Sequence, residues 1–153
     1  MQRNGAQFRR PYPDRAFSRP DRKGRVLIES SDPCVAWANE DTLLAAGYDV
    51  AVCWGPVPDG GTPCPLITGG RCLLAEDADV IVQSFAVGER EVFPILRTIR
   101  DQFPTKPLIV ETPATSRAKY GELDGCVLEL PIDPQDLVAA VDRLHARSQI
   151  EGS

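Results

Sequence analysis

Five short apolar runs set the rhythm of the chain: Val26-Leu27-Ile28, Tyr48 to Cys53, Val80-Ile81-Val82, Leu108-Ile109-Val110 and Cys126 to Leu130. They are rich in β-branched residues and alternate little, the pattern of strands buried on both faces of a parallel sheet. Between them lie longer segments with helical signals. Asp32-Pro33 reads as an N-cap followed by proline at the first helical position, so a helix runs from there to about Ala46 and stops at Gly47. Its apolar positions, Val35, Trp37, Leu43 and Leu44 among alanines, are only roughly periodic and leave its inward face undefined. From Glu89 to Phe103 the pattern is clearer. Val92, Phe93, Leu96, Ile99 and Phe103 fall close to the spacing of one helical face, with Pro94 in the early turns. Asp133-Pro134-Gln135-Asp136 starts the last helix, with Ile132 and Leu137 as a hydrophobic staple and Leu137, Val138, Val141 and Leu144 carrying it to about Ser148.

Two segments break the rhythm. Trp54 to Cys72 holds Pro56, Pro58, Pro63, Pro65 and five glycines, which forbids a long helix before about Leu66 and leaves a short one near Arg71 to Asp77. Ala114 to Asp124 is polar and has room for two helical turns. The alternation of strand and helix, with right-handed crossovers, predicts an α/β fold built on a doubly wound five-stranded parallel sheet. Val80 to Val82 is its central strand, and Ser84 stands at the carboxyl end, where open α/β sheets bind ligands. Asp79 precedes that run and falls at the amino end.

Length and composition narrow the picture. A chain of 153 residues, 42% of them hydrophobic, suits one domain with one core. No apolar run is long enough to span a bilayer and the first thirty residues hold no signal-peptide core, so a cytoplasmic protein without membrane contact is expected. The net charge of −5 is unevenly spread. Residues 1–24 carry seven Lys and Arg against Asp14 and Asp21, a net +5, so the remainder carries −10. An acidic body argues against a nucleic-acid-binding domain. The basic segment, with Pro11, Pro13 and Pro20 and few aromatics, reads as a tail over 1–24, disordered when free, that suits an acidic partner, nucleic acid or the body itself. The domain proper is then 25–148, with a Cys/Pro/Gly-rich loop at 54–72 and a short tail at 149–153.

From Arg25 to about Arg147 the chain resembles bacterial response-regulator receiver domains. The resemblance rests on an apolar strand leading into a polar cluster and Pro33, on Ala78-Asp79 before the central strand, and on Pro107 before the fourth strand with Thr112 at its end. It continues in Leu130-Pro131-Ile132-Asp133-Pro134-Gln135-Asp136-Leu137 after the fifth. It implies a flavodoxin- or receiver-like sheet in the order 2-1-3-4-5. Receivers hold Mg²⁺ on an acidic pair after the first strand, phosphorylate an aspartate ending the third, and pair a lysine with the phosphate. Here the acidic pair aligns with Ser30 and Ser31, the phosphoacceptor with Ser84 and the lysine with Leu130; Thr112 and Pro131 remain. Glu29 and Asp32 flank the serines, but Glu29 falls on the other side of its strand. An aspartyl phosphate needs a nucleophilic carboxylate beside a hard cation, so the resemblance is to a degenerate, pseudo-receiver form. It implies a non-catalytic regulatory module acting on a protein partner or a second copy, through the face around the fourth and fifth strands and the last helix.

The cysteines offer a rival reading. Cys34, Cys53, Cys64 and Cys72 fall near the carboxyl edge of the first two strands and the proline-rich loop, where four thiolates would hold Zn²⁺ or an iron-sulfur cluster. There is no Cys-x-x-Cys pair, and a Cys64 to Cys72 disulfide or free thiols remain alternatives; Cys126 reads as a small core residue. An enzyme on this fold has least support. The single histidine, His145, lies in the last turn of the last helix, away from that edge, and Gly60-Gly61 and Gly69-Gly70 read as turns.

Overall fold

In the computed structural model the described residues are 16–30, 32–54, 64–68, 70–84, 92–113, 126–130 and 132–151. Five parallel strands, β1 (Arg25–Glu29), β2 (Asp49–Cys53), β3 (Val80–Gln83), β4 (Leu108–Pro113) and β5 (Cys126–Leu130), form one sheet in the order β2-β1-β3-β4-β5. The helices are α1 (Pro33–Ala45), α2 (Pro65–Thr68), α3 (Leu73–Asp77), α4 (Val92–Gln102) and α5 (Pro134–Glu151).

Alternate side chains of each strand supply the two halves of the core. Val26, Ile28, Val50, Val52, Val80, Val82 and Ile109 face α1 and α5 through Ala36, Leu43, Leu137, Ala140 and Val141. Leu27, Ala51, Ile81, Leu108 and Val110 face the other layer through Leu66, Ala75, Ile95, Leu96 and Ile99 of α2, α3 and α4. Both strand faces are therefore dry, which is why the strands read as continuous apolar runs.

The helix punctuation follows the chain chemistry. The Asp32 carboxylate accepts the Cys34 N–H at 2.9 Å and the Asp133 carboxylate accepts the Gln135 N–H at 2.8 Å, each cap one residue before a proline at N1. Gly47 closes α1 with φ +100°, a conformation that suits glycine. The irregular face of α1 has a cause: the inward positions include Asn39 and Glu40 as well as Ala36 and Leu43, while Trp37 lies half-exposed. The helix spends one inward position on a polar side chain that reaches across to β4.

Two boundaries differ from expectation. β4 continues through Pro113, and α5 continues to Glu151, so Gln149, Ile150 and Glu151 extend a helix rather than forming a tail. His145 is accordingly mid-helix. Its ring packs edge-on against Tyr48, centroids 5.8 Å apart, and over Gly24, where a side chain would collide with it.

The basic segment is corrected more substantially. Residues 16–24 are docked across the amino edge of the sheet, not disordered. The Asp49 carboxylate accepts the backbone N–H groups of Ser18 (3.2 Å) and Arg19 (2.9 Å), and Arg22 donates to the Leu44 carbonyl. Phe17 packs against the core with the Arg25 guanidinium over its ring. Lys23 pairs with Asp142, to which the Tyr48 hydroxyl also donates. One aromatic anchor and several partnered polar groups overcome the high charge. Residues 1–15 lie outside the described residues, as does the polar segment 114–124 for which helical turns were expected.

Candidate functional site

The carboxyl ends of β1, β3 and β4 bring together the residues that the sequence singled out. β1 and β3 pair in register, Glu29 opposite Gln83, and Gln83 of β3 lies opposite Val110 of β4. Ser84 follows directly. It is 8% exposed, and its hydroxyl lies 3.4 Å from the Glu29 carbonyl oxygen, while its N–H donates to the same carbonyl at 2.8 Å. Ser84 also lies close enough to the Glu111 carboxyl to favour its charged form.

Ser30 sits at the end of β1 with its hydroxyl fully occupied locally. It accepts the Asp32 N–H and donates to the Asp32 carbonyl, both at 3.2 Å. This turn sets up the Asp32 cap of α1, so Ser30 shapes the chain and offers no charge to a cation. Thr112 is buried at the end of β4 with its hydroxyl unpartnered. Ser31, Pro131 and the Leu130 side chain lie outside the described residues. Asp79 is confirmed at the amino end, its carboxylate accepting the Arg25 N–H at 2.8 Å.

Two buried acids dominate this edge, one on each face of the sheet. Glu29 is 4% exposed, points to the α3 side, and accepts from Gln83 Nε2 at 3.1 Å. Burial pushes its carboxyl up to about 7, against the weaker opposing pull of the Gln83 amide. Glu111 is 3% exposed, faces α1, and accepts from Asn39 Nδ2 at 2.5 Å. Burial likewise pushes it up to about 7, with Asn39 and Ser84 acting in the opposite direction. Sequence reasoning passed over Glu111, Asn39 and Gln83 and treated Glu29 only as a flank of the serines. The available signal was an acid directly after an apolar strand run: Leu-Ile-Glu in β1 and Ile-Val-Glu in β4.

The cysteines do not converge as four. Cys53, Cys64 and Cys72 pack against the α2–α3–α4 half of the core, whereas Cys34 is exposed in the first turn of α1, which covers the opposite face. The sheet stands between them. Among the described residues no group of three or more His, Cys, Asp and Glu is arranged to hold a metal ion, and none of the four cysteines is in a disulfide. Burial raises the Cys72 thiol above its usual range, and the neighbouring Glu29 and Cys64 act in the same direction. No described helix is long and apolar enough to cross a membrane.

No protein-family model and no curated protein sequence matches the chain. Solved structures do. A response-regulator receiver domain from Clostridium thermocellum is 18% identical, with TM-score 0.63, over 83% of this chain and 98% of that one. A response-regulator receiver protein from Sinorhizobium medicae is 21% identical, with TM-score 0.59, over 82% and 96%. The signal receiver domain of an HD-domain-containing protein from Pseudomonas fluorescens is 20% identical, with TM-score 0.63, over 85% and 92%. Together with the strand order, these likenesses give the chain the fold of the response-regulator receiver domains.

Proposed function

We propose that the chain is a pseudo-receiver: a regulatory domain that keeps the receiver fold, takes no phosphoryl group on aspartate, and acts by contact with a protein partner or a second copy of itself. One observation carries the reading. At the carboxyl end of β3, where receivers present the phosphoacceptor, this chain has the buried hydroxyl of Ser84.

The surroundings support the same reading. A phosphoryl transfer to carboxylate needs a hard divalent cation held by ionised oxygens. Ser30 spends its hydroxyl on the Asp32 turn. Glu29 and Glu111 are turned into opposite halves of the core and held toward their neutral forms. By analogy with the fold, the contact face is that of β4, β5 and α5. The charge of Arg3, Arg9, Arg10 and Arg15 suits an acidic partner or nucleic acid, whereas Arg22 and Lys23 are engaged within the domain.

Fluorescence tests the reading, because Trp37 and Trp54, the two tryptophans of the chain, pack against each other 6.4 Å apart beside β2. Titration with Mg²⁺ and beryllofluoride should give no saturable change in their emission. A saturable, Mg²⁺-dependent change would refute it.

A further inference from the structure

The Glu29–Gln83 pair is incompletely bonded. Gln83 Nε2 donates to Glu29 Oε2 at 3.1 Å, while the remaining oxygens of the two side chains, Glu29 Oε1 and Gln83 Oε1, are buried without a hydrogen-bond partner. Two orphaned acceptors on one bonded pair in a dry interior are an expensive arrangement, and native structures rarely keep one. A single proton resolves both. On Oε1 it turns an acceptor into a hydroxyl donor, and Gln83 Oε1 is the acceptor that lacks one.

We propose that the Glu29–Gln83 pair is a proton-binding site, a carboxylic acid and a carboxamide joined by two hydrogen bonds, whose ionisation introduces a buried negative charge at the carboxyl edge. In releasing the proton the Oε1–H bond breaks, the electron pair stays on Oε1 and the proton passes to solvent water. The inference rests on the receiver fold and deepens the pseudo-receiver reading: it names the proton as the effector of the edge where receivers gain charge by phosphorylation.

The groups around Glu29 favour the neutral acid. Cys53 is its register partner on β2, and Cys64 and Cys72 approach from the α2 and α3 side, with burial raising the Cys72 thiol. On β4 the same face presents the unpartnered Thr112 hydroxyl. Behind the sheet stands Glu111 with Asn39 and Ser84, and its own ionisation adds like charge. Of the cations of the same layer, Arg71 is engaged with Glu76, Lys106 with the carbonyls of Ala75 and Glu76, and Arg100 with those of Pro104 and Lys106. Burial raises the Glu29 carboxyl to about 7, which puts the transition in the neutral range.

The test is a pH titration of the full chain labelled with ¹³C at the glutamate carboxyls and ¹⁵N at the glutamine amides. The Glu29 signal, assigned by its loss in Glu29→Gln, should titrate near 7 instead of 4.5, and the Gln83 amide should shift with the same midpoint. Should that variant not fold, cross-peaks between the Glu29 side chain and the Gln83 amide supply the assignment. A Glu29 midpoint at or below about 5, or a Gln83 amide indifferent to Glu29 ionisation, overturns the proposal. Either result leaves the absence of aspartyl phosphorylation untouched, and phosphoryl uptake would sink that reading without moving this titration.

Discussion

Replacing Glu111 with glutamine should remove a large part of the pH dependence of stability. Glu111 is 3% exposed, and its carboxyl is raised from 4.5 to about 7. Below 4.5 it is protonated in the folded and unfolded chain alike. Between 4.5 and about 7 the folded state keeps the proton and the unfolded chain loses it, so stability falls as pH rises and the loss is complete above about 7. At about 1.4 kcal/mol per pH unit, that window amounts to about 3 kcal/mol from this side chain, a sizeable share of the stability of a small domain. Glutamine keeps the shape and an oxygen for Asn39 Nδ2, and it cannot ionise. Urea unfolding followed by tryptophan emission should place wild type and Glu111→Gln close together at about pH 5. The variant should lead by about 3 kcal/mol at about pH 8. Parallel pH profiles would refute the reasoning, because the carboxyl would then have the same proton affinity in both states.

Other outcomes follow from the amino edge and the thiols. Asp49→Ala strips the Ser18 and Arg19 amides of their common acceptor. That costs about 1.5–3 kcal/mol of docking, so trypsin should cut after Arg22 and Lys23 about tenfold faster or more, and unchanged cleavage would contradict the docked segment. Gly24→Ala places a methyl 2.6 Å from His145 Nε2. The ring must leave Tyr48, lowering stability by about 1–3 kcal/mol in urea melts, and the further change His145→Ala should restore most of the loss. Because Cys34 stands across the sheet from the other three thiols, elemental analysis of anaerobically purified protein should find less than about 0.2 zinc or iron per chain, also after metal supplementation. A stoichiometric metal would reinstate the four-thiolate site.

The architecture was legible because its signals are local. A β-branched run bounded by Asp-Pro or Gly marks a strand and the helix after it, and Asp32-Pro33 and Asp133-Pro134 cap their helices as that chemistry requires. What the pattern cannot carry is which distant group meets a polar side chain. The docking of residues 16–24 depends on a buried carboxylate 30 and 31 positions away, at Asp49. Glu111 and Asn39, 72 positions apart, looked like a strand end and a flaw in a helical face until the fold joined them. The thiols failed for a related reason: nearness to one sheet edge does not say which face a residue occupies, and α1 carries Cys34 to the opposite one. Ser84 is the contrary case. Its place at the end of the central strand was readable, and the structure adds that its hydroxyl is buried and bonded.

The central claim is that a receiver fold here has lost its phosphoryl chemistry. Intact-mass measurement after incubation with acetyl phosphate and Mg²⁺ addresses it most directly. The account predicts an unchanged mass, since Ser84 and Ser30 hold neither the nucleophilic carboxylate nor the cation. A Mg²⁺-dependent phosphoryl adduct that hydroxylamine removes, the signature of an acyl phosphate, would contradict it.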